Sequence, residues 1–161
     1  MLKIIFLSLV VLLLQLLLSE LLSINQVSPD FLLIFVIYST FIYGRLKGLV
    51  IGFFIGLISD LVGVSSYFGL YPLLLSSGSY SISFLIGRYE KVLPYIFHSI
   101  WLLIVMIYFF IMTYVKYYSL FISDFSGFLL QAFYFFLYTF SFLIIFQYFY
   151  SIKEASHAEE T

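Results

Sequence analysis

Long apolar stretches separated by short polar breaks run the length of this chain. Six can be drawn, at residues 3–22, 30–43, 47–62, 70–87, 93–115 and 127–150, each bounded by charge, proline or glycine. The last two comfortably reach the ~20 residues a helix needs to cross a bilayer. The second and third are shorter, roughly 15 residues, a little under a 30 Å hydrocarbon core at 1.5 Å per residue. Their small residues favour burial inside a bundle over contact with lipid. The pattern therefore predicts an all-α membrane protein: one compact domain of six transmembrane helices over 1–150, then a short polar tail over 151–161. The first stretch resembles a secretory signal, with Lys3 ahead of an apolar run from Ile4 to Leu18. That run exceeds the usual signal core and no A-x-A site follows, so a retained helix is expected.

The basic residues fall at alternate ends of these stretches. Lys3, the pair Arg45 and Lys47, the pair Arg88 and Lys91, and Lys153 share one side, and Lys116 alone lies on the other. Lysine and arginine concentrate in cytoplasmic loops, so both termini are expected in the cytoplasm. Lys116 can reach the far interface along its aliphatic stem. The connections on the basic side are tight, and Gly44 to Lys47 is expected to turn a helix hairpin.

Composition sharpens this picture. Apolar residues make up 64% of the chain and charged residues 9%, against about 25% charged in a soluble domain. The bilayer is the expected solvent. The net charge of −1 argues against nucleic acid as a partner, and the two basic pairs are too sparse along the chain for a phosphate-binding patch. The chain has no cysteine, which removes disulfides, thiolate metal sites and thiol nucleophiles.

Hydrophobicity alone does not pack helices in lipid; small residues and interhelical hydrogen bonds do more of that work. Three stretches carry such a seam at helical spacing: Ser8, Leu12, Gln15 and Ser19; Ser76, Ser79, Ser83 and Gly87; and Gln131, Tyr134, Tyr138, Ser141 and Tyr148. All three are expected to face inward. The strongest seam is Gly44, Gly48, Gly52 and Gly56, always four apart, within YGRLKGLVIGFFIGLISD. Each glycine lets another backbone come close, whether from this chain or from a partner.

Reactive chemistry is sparse. Glu20, Asp30 and Asp60 fall on the side away from the basic pairs. Such carboxylates can relay protons, bind a cation or form an aspartyl dyad. Asp30, directly after Pro29, is also placed to cap the second helix, and Asp60 to anchor a loop. The SSGS run at 76–79 does not match a nucleophile elbow, and His98 is expected to be a packing residue. No phosphate loop or metal-ligand cluster is present, so no enzyme activity, cofactor or metal is expected.

Pro29–Asp30, the hairpin from Tyr43 to Gly69 with its glycines, Leu57 and Asp60, and the closing RYEK at 88–91 together resemble the MreD family of the bacterial cell-elongation machinery. The resemblance is best over about 28–91. It implies a six-helix fold similar to the substrate-binding subunits of energy-coupling-factor vitamin transporters, located in the bacterial cell membrane. It implies partnership with MreC and, through it, with MreB, a RodA-type glycosyltransferase and a class B penicillin-binding protein, and no catalytic activity. The expected role is a membrane scaffold for cell-wall synthesis. The same kinship leaves a vitamin-type carrier subunit as the alternative.

Overall fold

The computed structural model describes residues 2–24, 27–63, 67–88 and 91–149. The polar tail with Lys153 and His157 lies outside the described residues, as do the side chains of Lys3 and Glu20. The described residues form α1 (Leu2–Leu21), α2 (Phe31–Leu61), α3 (Leu70–Ser83), α4 (Pro94–Lys116), α5 (Tyr118–Ser123) and α6 (Phe125–Phe149). Their one β feature is an isolated bridge between Ile24 and Val27. Helices α4 and α6 are each long and apolar enough to cross a membrane, and α2 reaches that length only when its two limbs are taken together.

Helix α2 is not one rod. Gly44 breaks it with φ 83° and ψ 174°, a conformation that side-chain-bearing residues rarely adopt. Beyond the break the chain returns on itself. A Cβ built on Gly48 would lie 2.8 Å from Thr40 Cα, and one on Gly52 3.3 Å from Val36 Cγ1. Residues eight apart in a continuous helix are separated by about 12 Å. The limbs 31–43 and 45–61 therefore pack antiparallel, and α3 lies along the second limb. The turn expected at Gly44 to Lys47 thus pivots on its first residue.

The first limb is the centre of the molecule. Leu32, Leu33, Ile34, Ile37 and Phe41 are buried in it, against Leu75 and Ile82 of α3 and Phe97, Trp101, Val105 and Phe109 of α4 in one core. A helix too short to span lipid comfortably is thus walled in by protein. The second limb is less enclosed: it buries its glycines, Ser59 and Asp60, while Val50, Phe53, Phe54, Ile58 and Leu61 are exposed. Helix α4 begins with Pro94 in its first turn, where no amide donor is missed.

Two expectations from the sequence need correction. The seam of the last helix faces inward only in part: Tyr134 is 53% and Tyr148 88% exposed, and the buried face is Phe128, Ala132, Phe135, Thr139 and Leu143. Ring volume outweighs polarity there, because large apolar faces pack on α4 while Tyr134 and Tyr148 sit outside; Tyr138 is half-buried and donates its hydroxyl to the Leu22 carbonyl at 2.6 Å. In the seam of α3, Ser79 and Ser83 are buried, but Gly87 lies past the helix end in an exposed turn at φ 66°. The expected loop 116–126 also contains α5.

Asp124 stands at the start of α6. Its carboxylate accepts from the Gly127 amide at 3.0 Å and the Ser126 hydroxyl at 2.7 Å. These bonds, the Gly127 amide foremost, hold its carboxyl below the ordinary value. A depressed folded-state value means that the cap's contribution is present above the unfolded carboxylate range, about pH 4, and is lost as pH falls through the lowered value. Protection of the Gly127 amide, measured against the intrinsic exchange rate at each pH, is expected to fall on acidification in the wild type. It should stay flat in Asp124→Asn, which caps without titrating.

Candidate functional site

Four helices meet around Asp30, whose side chain joins two of them. Its Oδ1 accepts the Leu33 amide at 2.9 Å, capping α2, and its Oδ2 accepts the Tyr108 hydroxyl of α4 at 2.6 Å. Its own amide donates to Thr139 Oγ1 of α6 at 3.1 Å. From α1, the Gln15 side chain clasps the same corner. Gln15 Nε2 donates to the Pro29 carbonyl at 3.1 Å, and Gln15 Oε1 accepts the Phe31 amide at 2.7 Å. Asp30 and Gln15 are both buried, at 2% and 3% exposure.

Helix lengths set the depth of this node. The limb 31–43, α1 from Leu2 to Gln15 and α4 from Pro94 to Tyr108 each rise about 20 Å at 1.5 Å per residue. The node therefore sits about 20 Å from the end that carries Arg45, Lys47, Arg88 and Lys91, within a ~30 Å hydrocarbon core. Irregular backbone at that depth persists only where protein satisfies it. Gln15 and Thr139 satisfy the carbonyl of Pro29 and the amides of Asp30 and Phe31. Gln15→Leu, nearly equal in volume, would orphan two of these groups. It is expected to lower stability by about 2–4 kcal/mol, read as a fall of the melting temperature in detergent.

Asp60 lies at the far end of the second limb. Its Oδ2 accepts the Gly69 amide at 2.6 Å, which pins the connection to α3, while its Oδ1 is buried without a hydrogen-bond partner among the described residues. Ser59 Oγ and Thr113 Oγ1 are in the same condition. Tyr71 and Lys116 stand close by, with the Lys116 ammonium 5.3 Å from the Tyr71 ring centre. Asp30 and Asp60 do not share a hydrogen bond among the described residues. Asp30 is engaged through both carboxylate oxygens, and Asp60 through Oδ2 alone. No group of three metal-ligating acids, histidines or cysteines occurs among the described residues.

The glycine seam is filled from within the chain. A Cβ on Gly56 would lie 2.5 Å from Pro72 N, one on Gly52 3.0 Å from the Leu75 carbonyl, and one on Gly48 2.9 Å from Ser79 Oγ. Helix α3 therefore runs antiparallel along Gly48, Gly52 and Gly56, with its backbone where side chains would be. Beside Gly48, Thr40 Oγ1 donates to the Val36 carbonyl at 2.7 Å and lies 2.8 Å from Ser79 Oγ, which donates to it in turn. Gly44 is buried at the pivot of the hairpin. His98 accepts from Trp101 Nε1 at 3.0 Å, a local bond within α4.

Sequence reading found Asp30 and Gln15 but not Tyr108, Thr139 or Tyr71. Tyr108 carried a usable signal, since Phe97, Trp101, Val105, Tyr108 and Met112 follow the three-and-four rhythm of a buried face. Thr139 sits among phenylalanines and carried none.

The arrangement defines a helical membrane protein: apolar outer faces, an interior polar node that joins helices, and a backbone-to-backbone glycine seam. Comparison with protein families gives the particular kind. Residues 1–153 match rod shape-determining protein MreD, and the chain belongs to that family, whose members are cell-shape-determining membrane proteins. No curated protein and no solved structure matched the chain.

Proposed function

We propose that the protein is a non-catalytic scaffold of the cell-wall elongation complex that holds the transmembrane helix of MreC in the plane of the membrane. Through MreC it gathers MreB, a RodA-type glycosyltransferase and a class B penicillin-binding protein. In this reading the limbs of α2, with α1, α3, α4 and α6, make six spans, and the basic end with both termini is cytoplasmic. The family membership carries the proposal. The fully engaged Asp30 agrees with it, since both carboxylate oxygens accept bonds that hold helices together. Placing one surface on an assembly raises the effective concentration of the other members.

The glycine seam is occupied by α3 and is not a partner's dock in this reading. The helix of MreC instead meets an outward face of the bundle. Co-purification of full-length protein with MreC from detergent tests the scaffold, and the expected result is a stable complex. Complete absence of association in the wild type would sink it. A vitamin retained through purification would favour the carrier-subunit alternative.

A further inference from the structure

The two basic pairs, far apart in sequence, meet at one end of the fold. Arg45 and Lys47 lie in and just past the α2 turn, and Arg88 and Lys91 lie between α3 and α4. The link between them is Arg45. Its guanidinium carbon lies 4.3 Å from the Tyr80 ring centre and 5.1 Å from that of Phe84. Those two rings meet edge to face at 5.2 Å. Arg88 follows Phe84 by four residues, at most about 14 Å of chain. Arg45, Lys47, Arg88 and Lys91 are all exposed. The carboxylates of Asp30, Asp60 and Asp124 all lie toward the opposite end, and Glu90 falls outside the described residues.

Apolar side chains share this rim. Leu46, between the two basic residues of the turn, is 79% exposed, and Phe84, Leu93 and Tyr95, near the α3–α4 connection, are exposed as well. Fixed cations alternating with exposed leucine and aromatic groups suit a ligand with a phosphate at one level and acyl chain at the next. The rings restrict Arg45 before any ligand arrives, and a stacked guanidinium keeps its planar fork of donors free for a phosphate. We propose that this end is a binding surface for anionic phospholipid, with the Arg45 guanidinium on its Tyr80–Phe84 seat as the primary headgroup contact and Lys47, Arg88 and Lys91 as supporting charges.

The test uses full-length protein in neutral detergent. Phosphatidylglycerol, phosphatidylcholine or inorganic phosphate is added in turn, with the melting temperature and the number of lipids retained in native mass spectrometry as readouts. Phosphatidylglycerol is expected to raise the melting temperature by several degrees and to stay bound. Phosphatidylcholine and inorganic phosphate should do neither, since one lacks net charge and the other lacks chains. The shift should shrink as salt screens exposed charges. Arg45→Gln combined with Lys47→Gln, Arg88→Gln and Lys91→Gln should abolish it. Tyr80→Leu with Phe84→Leu, which removes the seat and keeps every charge, should weaken it at least threefold in half-saturating lipid.

Equal shifts from both lipids, a salt-independent shift or a full shift in the fourfold variant would each overturn the proposal. So would a fourfold variant that keeps its phosphatidylglycerol preference and instead loses an acidic protein partner. Should the fourfold variant fail to fold, the ring variant and the salt series on the wild type decide the matter.

Discussion

Gly56→Leu is expected to prevent the bundle from closing, whereas Gly78→Ala is expected to stabilise it. Both positions are buried glycines, and only their surroundings differ. A single carbon added to Gly56 would meet Pro72 N at 2.5 Å, Pro72 Cα at 2.6 Å and the Tyr71 carbonyl carbon at 2.7 Å. These are backbone atoms of α3 and cannot rotate away. Overpacking of ordinary side chains costs about 1–3 kcal/mol. A leucine pressed into a helix backbone is expected to exceed that range and to separate α3 from the second limb of α2. At Gly78 the nearest atom is Tyr108 Cδ2 at 4.0 Å, an ordinary contact. Alanine there should add about 0.5–1 kcal/mol through lower unfolded-state entropy. Fluorescence size-exclusion and thermal melts of both variants check this. A monodisperse Gly56→Leu protein with the wild-type melting temperature would show that α3 does not seat on the glycines.

Asp30→Ala is expected to cost about 3–5 kcal/mol, and Asp30→Asn about 1 kcal/mol. Alanine strips the Leu33 amide and the Tyr108 hydroxyl of their acceptors at a depth where water does not replace them, at about 1–3 kcal/mol for each orphaned group. Asparagine keeps the Oδ1 cap and offers its amide to the Tyr108 oxygen, so the loss is mainly that of the charge-assisted bond. Tyr108→Phe leaves the carboxylate short of one donor, and its effect should not add to that of Asp30→Asn, since both act on the same contact. Thermal melts of the two singles and the double form the cycle. Cell-shape complementation separates structure from chemistry. Asp30→Asn is expected to restore normal shape. A folded Asp30→Asn protein unable to do so would assign the carboxylate a proton or cation role instead.

Much of the architecture was visible in one dimension because lipid imposes a coarse rule on sequence. Apolar length marked an all-helical chain, and the tight connection after Tyr43 marked the return at Gly44. Two kinds of information were not visible. One is which polar side chain finds which partner: Tyr108 reaches Asp30 across 78 positions and Thr139 across 109, and no local pattern encodes such a pairing. The other is the facing of α6. Its phenols fall on a regular helical stripe, yet its phenylalanines and Thr139 pack inward, because nearly every residue of that helix is apolar enough for either side. The two basic pairs look sparse in sequence because distance along the chain does not give distance in space.

The node at Asp30 also constrains the birth of the protein. The limb 31–43 leaves the ribosome early, yet the last of its polar contacts, to Thr139, waits for a residue 109 positions later. At about 5–20 residues per second that interval is roughly 5–20 s. During it the amide of Asp30 lacks the partner that the finished protein supplies, in a limb shorter than the bilayer is thick. The nascent hairpin is therefore expected to complete its packing only after α6 emerges. A chain that stops before α6 is expected to keep this polar corner open, with the Asp30 amide lacking its Thr139 acceptor.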